Sequence, residues 1–293
     1  MARAGATLEG DKLPRPRFVV AKDVVQALAA HLEQAGATYV GGGTALQLAW
    51  GDAPPPVTMI DVTRVAEAQG VAIVQHDNVR SLRIGAAMKL EALRRHPLVQ
   101  EYAPLLAQAL QTLAALGVRH LATLGGNIGW RMGDTLPALL VMGAQIETGD
   151  PAGAKMRLAE VLSCSTVPLI AAVHVPLAEA CEDFTNEVFE KVGLRAAFSP
   201  SRLSLAQRWR IEQGRIAALT SAASGAGLPA RRLHTAEALL QGRGVHDLLA
   251  VKNQLRDACR ADLAGDASRA RLAANLLAGH LRLTALSRPT TAP

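Results

Sequence analysis

Three consecutive glycines at positions 41–43, followed by Thr44, form the segment whose composition best suits ligand binding. The preceding residues, 38–40, predict a short strand, and Thr44 can cap a helix that reaches Leu48. Glycine lets backbone amides approach a ligand closely, and the first turn of a helix favours an anion. A pyrophosphate meets both requirements, although an isolated triple glycine is more often a tight turn that binds nothing.

A second glycine pair, Gly125 and Gly126, is flanked by Thr123 and Asn127, whose side chains can hydrogen-bond phosphate or sugar oxygens. Asp134 follows in the same predicted loop, and its carboxylate can accept hydrogen bonds from ribose or ribityl hydroxyls. Two separate glycine-rich segments in one domain suit a long ligand with two ends. That combination is a better argument for a ligand than either segment alone.

A Rossmann dinucleotide site is only partly matched by the first segment. Asp61 ends a later predicted strand, near the distance that would suit a ribose contact. The Gly-x-Gly-x-x-Gly fingerprint, however, requires glycine at position 46, where the chain has leucine.

Apolar periodicity, caps and breakers predict the elements that position these segments. The predicted helices, besides 44–48, are 23–33, 90–95, 104–116, 134–142, 236–240, 247–260 and 267–281. The predicted strands, besides 38–40, are 57–62, 81–86, 144–147, 170–175, 188–197, 206–211 and 216–221. Residues 123–133 are predicted to be a loop of small residues. Periodicity is lost over 176–186, where we expect a domain boundary, and 293 residues suit about two domains.

Composition and charge exclude several classes of protein. The net charge of +6 comes from scattered basic residues, which suit a solvated surface or an acidic protein partner rather than nucleic acid. Three cysteines without a C-x-x-C pair predict inert thiols in a reducing compartment and no iron–sulfur cluster in this chain. No zinc motif, secretory signal or membrane span is expected. No nucleophile–base set of His, Cys, Ser or Lys is recognisable either.

The order of the motifs resembles a known flavoprotein family. Residues 123–127 followed by 134–140 resemble the second FAD motif of the medium subunits of xanthine dehydrogenase and carbon monoxide dehydrogenase, and 40–44 resembles the first. Four further segments resemble that family in the same order, namely 60–62, 82–86, 96–99 and 189–195. The resemblance spans about 18–286, and it makes Asp61 a strand-end residue rather than a Rossmann acid.

The resemblance implies an α+β fold. It implies a two-lobed FAD-binding domain of the vanillyl-alcohol oxidase (PCMH) type over 14–180, then a small α+β domain over 187–287. It further implies an electron-transfer subunit that works in the cytoplasm with a molybdopterin-binding large subunit and a [2Fe–2S] small subunit. Electrons would enter FAD from the [2Fe–2S] centre and leave to NAD⁺, oxygen or a quinone.

The same resemblance implies which residues hold the cofactor. The first loop would line the pyrophosphate with Gly41, Gly42, Gly43 and Thr44. The second loop would consist of Thr123, Gly126 and Asn127. Asp134 would contact the ribityl or neighbouring hydroxyls, Ile170 would pack near the isoalloxazine, and Lys191 would approach the flavin from the C-terminal domain.

Two departures from the family pattern leave alternatives open. Ala45 stands where the family often has an acidic residue, and the stretch 127–134 is shorter than usual and contains Trp130 and Arg131. A subunit that keeps the fold but has lost its flavin is therefore one alternative. A self-contained flavin oxidase is another, although few acid–base residues support it.

Overall fold

Three β-sheets are present in the computed structural model, which describes residues 16–49, 56–76, 79–150, 153–177, 184–193 and 200–287. The first sheet is parallel with strand order β1-β3-β2 and comprises β1 (Arg17–Val20), β2 (Thr38–Val40) and β3 (Thr58–Asp61). Helix α1 (Val24–Leu32) connects β1 to β2, and the Asp23 side chain caps it by accepting from the Gln26 amide at 2.7 Å. Helix α2 (Thr44–Ala49) follows the three glycines.

The second sheet is antiparallel throughout, with strand order β4-β5-β8-β6-β7. Its strands are β4 (Val71–His76), β5 (Val79–Gly85), β6 (Gln145–Thr148), β7 (Lys155–Arg157) and β8 (Ile170–Pro176). The helices inserted between these strands are α3 (Leu90–Arg94), α4 (Pro97–Tyr102), α5 (Pro104–Thr112), α6 (Leu116–Leu121), α7 (Leu124–Gly129), α8 (Leu136–Val141) and α9 (Leu158–Ser163). A 3₁₀ turn, Ala66–Ala68, precedes β4.

The third sheet is antiparallel with strand order β12-β11-β10-β9. Its strands are β9 (Asn186–Gly193), β10 (Ser201–Glu212), β11 (Arg215–Gly225) and β12 (Leu228–Arg232). The helices that follow are α10 (His234–Leu240), a 3₁₀ helix (Val245–Leu249), α11 (Lys252–Asp262) and α12 (Ala267–Ser287). None of the helices in these ranges is long and apolar enough to cross a membrane.

Both faces of the third sheet are covered, and this packing joins the two halves of the chain. Helices α10 and α12 contact one face, while α5 and α8 from the first half contact the other. Every residue of α8 is buried, with Pro137 in its first turn, where a missing amide hydrogen is tolerated. Ala206 and Ala222 of the third sheet belong to the same hydrophobic core as Leu139. Alternate residues such as Leu205 point into the second core, against α10–α12.

Two predicted helices are wrong in their bounds. The helix predicted over 104–116 ends at Thr112, and Gly117 lies inside α6 rather than closing α5. The chain turns because Arg119 donates to the carbonyl oxygens of Leu113 and Ala114 at 2.8 and 2.7 Å. These bonds replace helical ones and cannot be read from apolar spacing.

The helix predicted over 247–260 is divided into the 3₁₀ helix and α11. Val245, Leu248 and Val251 are all buried. Their three-residue spacing matches a 3₁₀ helix, which has three residues per turn. The predicted loop 123–133 is also wrong, because α7 occupies its first half.

Candidate functional site

The first glycine segment lies where two parallel strands end. β2 ends at Val40 beside Asp61, the last residue of β3, and the chain then turns through 41–43 into α2. Gly43 has a φ of +68°, a conformation that L-residues rarely adopt. The backbone amides of Gly42 and Gly43 find no acceptor within the described part of the chain. Thr44 is the first helical residue rather than the cap.

The two glycine segments predicted from the sequence are brought together edge to edge. A Cβ atom at Gly41 would overlap the hydroxyl oxygen of Thr123, and one at Gly42 would overlap the carbonyl oxygen of Leu121. Glycine at positions 41 and 42 is therefore required by the contact between the loops. Gly43 has open space around it, so glycine is required there by backbone conformation alone.

The backbone amides of the second segment, unlike those of the first, already have hydrogen-bond acceptors among the described residues. Thr123 is buried and caps α7, because its Oγ1 accepts from the Gly126 amide at 3.1 Å. The amides of Leu124 and Gly125 donate to the Met88 and Ala86 carbonyls, which fastens the segment to the end of β5. A ligand at this segment would therefore meet side chains and not a group of free backbone amides.

Asn127 is that side chain, and its orientation is fixed. Its Oδ1 accepts from Thr135 Oγ1 at 2.5 Å and from the Thr135 amide at 3.4 Å. Because the amide of Thr135 can only donate, these contacts identify the oxygen and leave Nδ2 as a donor. Asn127 is half-buried, and the neighbouring Gly126 is exposed.

Lys89 is a residue at the site that the sequence analysis missed. Its Nζ donates to the Leu121 carbonyl at 2.9 Å, the same oxygen that Gly42 approaches, and Lys89 bridges to Thr123 through its backbone. Burial lowers the pKa of Lys89, and the nearby Asp61 carboxylate opposes that effect. A lone lysine between β5 and α3 carries no motif, so no sequence signal marked it.

Asp134 and Lys191, predicted separately, form an ion pair across the two halves of the chain. Lys191 Nζ lies 2.7 Å from Asp134 Oδ2 and also donates to the Thr112 carbonyl at 3.3 Å. Asp134 Oδ1 accepts from the hydroxyls of Ser201 and Ser204, both at 2.7 Å. Both carboxylate oxygens are thus engaged by the strands β9 and β10.

The remaining predicted residues divide between core and surface. Ile170 begins β8 and is buried, one residue before Ala171, whose carbonyl accepts from Ala86 at the base of the second segment. The Arg131 guanidinium donates to three carbonyls at the end of α9, the shortest at 2.6 Å to Cys164. Trp130 is half-buried at the end of α7.

The two cysteines among the described residues, Cys164 and Cys259, are free thiols. Cys259 is buried, and burial raises its pKa to about 12. Cys164 is half-buried and contacts the Glu160 carbonyl, while Cys181 lies outside the described residues. Within the described ranges, no cluster of three His, Cys, Asp or Glu side chains could hold a metal ion.

Two curated proteins with matching sequence carry the names of FAD-binding subunits. Residues 14–178 match the family model described as the FAD binding domain in molybdopterin dehydrogenase. A putative xanthine dehydrogenase FAD-binding subunit of Escherichia coli K12 is 26% identical over 172 residues, which are 55% of this chain and 56% of that protein. The corresponding subunit of Escherichia coli O157:H7 gives the same figures. The matched region thus spans only about half the length of these curated relatives.

Solved structures extend the likeness over nearly the whole chain. A chain of carbon monoxide dehydrogenase from Hydrogenophaga pseudoflava has a TM-score of 0.76 at 23% identity and covers 91% of this chain and 96% of that one. A chain of quinoline 2-oxidoreductase from Pseudomonas putida 86 has a TM-score of 0.73 at 18% identity, with 94% and 98% covered. These matches confirm the predicted fold class, an α+β fold, which this chain shares with those solved chains.

The family match covers more than half of the chain, and it includes both glycine segments described above. This match and the named relatives confirm the predicted cofactor, FAD, and the predicted oxidoreductase family. The chain belongs to the family of FAD-binding domains in molybdopterin dehydrogenases.

Proposed function

We propose that this chain is the FAD-binding electron-transfer subunit of a molybdopterin-dependent oxidoreductase, and that it relays electrons from a [2Fe–2S] subunit to an external acceptor. One observation carries the proposal: the turn 41–43 packs against residues 121–123, and the amides of Gly42 and Gly43, near the Lys89 ammonium, have no acceptor among the residues that the structure describes. Unpaired amides and a cation suit a pyrophosphate. Bound FAD would supply the redox chemistry, since it exchanges electrons both singly and in pairs.

The chain's own residues would bind and orient the cofactor. Gly41, Gly42, Gly43 and Thr44 would cradle the pyrophosphate, with Lys89 opposing its charge. Thr123, Gly126 and Asn127 would form the second wall, in which Asn127 Nδ2 donates to a cofactor oxygen. Ile170 would pack near the isoalloxazine.

Asp134 and Lys191 would contribute by holding the two halves of the chain around the cofactor. Both side chains are largely satisfied by each other and by Ser201 and Ser204. A direct contact of Asp134 with ribityl hydroxyls would therefore use the remaining lone pairs of its two carboxylate oxygens. The proposed division into an FAD domain over 14–180 and a smaller domain over 187–287 puts this ion pair at the junction.

Helix α6 supplies a surface for a partner subunit. None of its residues is buried, and Leu116, Val118 and Leu121 are 49%, 38% and 54% exposed. These apolar side chains lie next to the glycine turn, because Leu121 is the residue that Gly42 contacts. A [2Fe–2S] subunit that covered α6 and Trp130 would come close to the cofactor, as electron transfer requires. The molybdopterin-binding subunit would complete a cytoplasmic complex.

Cofactor identity can be tested on the purified chain. Absorption spectroscopy and titration calorimetry should show one FAD bound per chain and much weaker binding of FMN, which lacks the second phosphate and the adenosine. Comparable affinity for FMN would contradict the pyrophosphate assignment. Absence of any flavin binding would instead favour the flavin-free scaffold that Ala45 suggests.

The relay role can be tested on the assembled complex. Co-purification should recover a molybdopterin-binding chain and a [2Fe–2S] chain, and the isolated FAD subunit should oxidise no aromatic or purine substrate by itself. Trp130→Ala should slow flavin reduction in the complex while FAD content stays unchanged, because large aromatic side chains dominate many interfaces. Leu249→Ala, an exposed position in the other half of the chain, is the matched control. Unaided substrate oxidation by the isolated chain would rule out the relay.

A further inference from the structure

Ser81, His174 and Glu147 form a connected polar cluster on one face of the second sheet. Ser81 lies on β5, His174 on the neighbouring β8 and Glu147 on β6, which borders β8 on its other side. His174 is directly opposite Arg83 on β5 and Gln145 on β6. Ser81 Oγ is 3.2 Å from His174 Nδ1, and His174 Nε2 is 2.7 Å from Glu147 Oε2. No such set was recognisable in the sequence, because 93 residues separate the serine from the histidine.

The carboxylate of Glu147 fixes the state of the imidazole. Hydrogen bonding to His174, followed by a bidentate interaction with Arg83 at 3.0 and 2.9 Å, lowers the pKa of Glu147 to about 2. An ionised carboxylate can only accept, so it selects the tautomer with hydrogen on Nε2. The Nδ1 lone pair then faces the Ser81 hydroxyl, which is the relationship of a general base to a nucleophile.

Ser81 and His174 line a cleft of about 440 Å³. Ser81 and His174 are 6% and 4% exposed, and both line this cleft together with Gln145, Lys155 and His76. Lys155 and Gln145 supply N–H donors that could stabilise negative charge on a carbonyl oxygen. Because so little of Ser81 is exposed, we expect a short acyl group to reach it more easily than a long one.

The cluster is separate from the proposed flavin site. Ala86, whose carbonyl holds the second glycine segment, follows Ser81 by five positions along and just beyond β5. At about 3.4 Å per residue, the two points are roughly 17 Å apart. Glu147 and Arg83 are also absent from every contact described for the glycine turns, so the cluster has no assigned task.

We propose that Ser81, His174 and Glu147 constitute an acyl-transfer site that hydrolyses small, short-chain carboxylic esters. Ser81 Oγ attacks the carbonyl carbon while its proton passes to His174 Nδ1, and the C–O bond to the alcohol breaks as that proton is delivered to the leaving oxygen. Water then attacks the acyl carbon and loses a proton to Nδ1, and that proton returns to Ser81 Oγ as the bond between Oγ and the acyl carbon breaks, which releases the carboxylic acid. Glu147 is a positioning residue that stabilises the protonated imidazole.

The test uses the purified full chain with p-nitrophenyl acetate and with a fluorophosphonate probe. Wild-type protein should hydrolyse the acetate ester faster than the octanoate ester, and peptide mapping should find the probe on Ser81. Ser81→Ala should abolish labelling, and His174→Gln should lower turnover roughly 100-fold or more, the usual contribution of a general base. Glu147→Gln should lower kcat and leave KM unchanged, which a purely structural role would not produce.

Ser165→Ala is the matched control, because Ser165 is an exposed serine, and its turnover should equal that of the wild type. Circular dichroism and thermal melting establish that each variant is folded. Labelling at another residue, or an unchanged rate in folded Ser81→Ala, would overturn the proposal. A folded wild-type chain that neither reacts with the probe nor hydrolyses the ester would show that the cluster only braces the sheet.

Discussion

Lys191 Nζ and Asp134 Oδ2 are 2.7 Å apart, although 57 residues separate them in the chain, and each side chain is only 12% exposed. The pair joins β9 to the segment before α8. Removing one partner would leave the other charge largely desolvated and unpaired.

Lys191→Met should therefore lower the free energy of unfolding by about 2–4 kcal/mol. A double-mutant cycle with Asp134→Asn should give a coupling energy of about 1–3 kcal/mol, measured by chemical denaturation. Arg210→Met is the control, because its partner Glu212 is 57% exposed and the loss should stay under about 1 kcal/mol. A zero coupling energy would mean that Lys191 and Asp134 do not pair in solution.

Substitutions at two glycines should change stability equally but FAD affinity differently. Gly43→Ala should cost about 1 kcal/mol, because only its backbone conformation is strained, yet it should reduce FAD affinity by displacing the amides. Gly36→Ala has a similar positive φ in open space and should lose the same stability while binding FAD normally. Full FAD affinity in Gly43→Ala would contradict the proposed pyrophosphate site.

Gly42→Ala should behave differently from Gly43→Ala. Its Cβ would meet the Leu121 backbone, which cannot move like a flexible side chain, so the two loops must separate. We expect a melting temperature well below that of Gly43→Ala, as measured by calorimetry without FAD. Equal melting temperatures would show that the loops are not packed as described.

Asn127 predicts a hydrogen bond to the cofactor that depends on Thr135. Asn127→Ala should weaken FAD binding by about 0.5–1.5 kcal/mol, the usual worth of one hydrogen bond. Thr135→Val keeps Asn127 but removes its hydroxyl partner, so it should weaken binding in the same direction by freeing the amide to rotate. Titration calorimetry on apo-protein measures both. Unchanged affinity in both variants would remove the second segment from the site.

Glu147 predicts an acid-dependent loss of stability. Its pKa in the folded chain is about 2, below the ordinary value of 4.5, so its contribution is complete above pH 4.5 and is lost as the pH falls towards 2. The loss should be on the order of 1–2 kcal/mol after allowance for solvent screening of a partly exposed group. Denaturation curves from pH 6 to 2 should show a steeper decline for wild type than for Glu147→Gln. Parallel curves would show that the pKa of Glu147 is not lowered in the folded chain.

Local signals in the sequence predicted the elements that depend on local chemistry. Helix α1, which Asp23 caps, lies within the predicted range 23–33, and α8, with Pro137 in its first turn, lies within the predicted range 134–142. The glycine segments were identified because a ligand loop needs glycine at several consecutive positions. These features are set by a few neighbouring residues, so a single sequence contains them.

Features that depend on residues far apart in the chain were not predictable. The end of α5 is determined by Arg119, which is itself held by Glu91 at 2.7 Å. Lys89 gained its place at the site only when α6 packed beside it. Likewise Ser81, Glu147 and His174 come together through strand order, which periodicity alone does not determine.

The covered third sheet has a consequence for how the chain is made. Helix α8 leaves the ribosome well before the strands β10–β12 that bury its outer face, because those strands begin only at Ser201. The nascent first half therefore leaves the outer face of this apolar helix uncovered until translation has passed Arg232. Synthesis of this protein calls for protection of that helix during elongation, and the long-range pairing delays its final folding step.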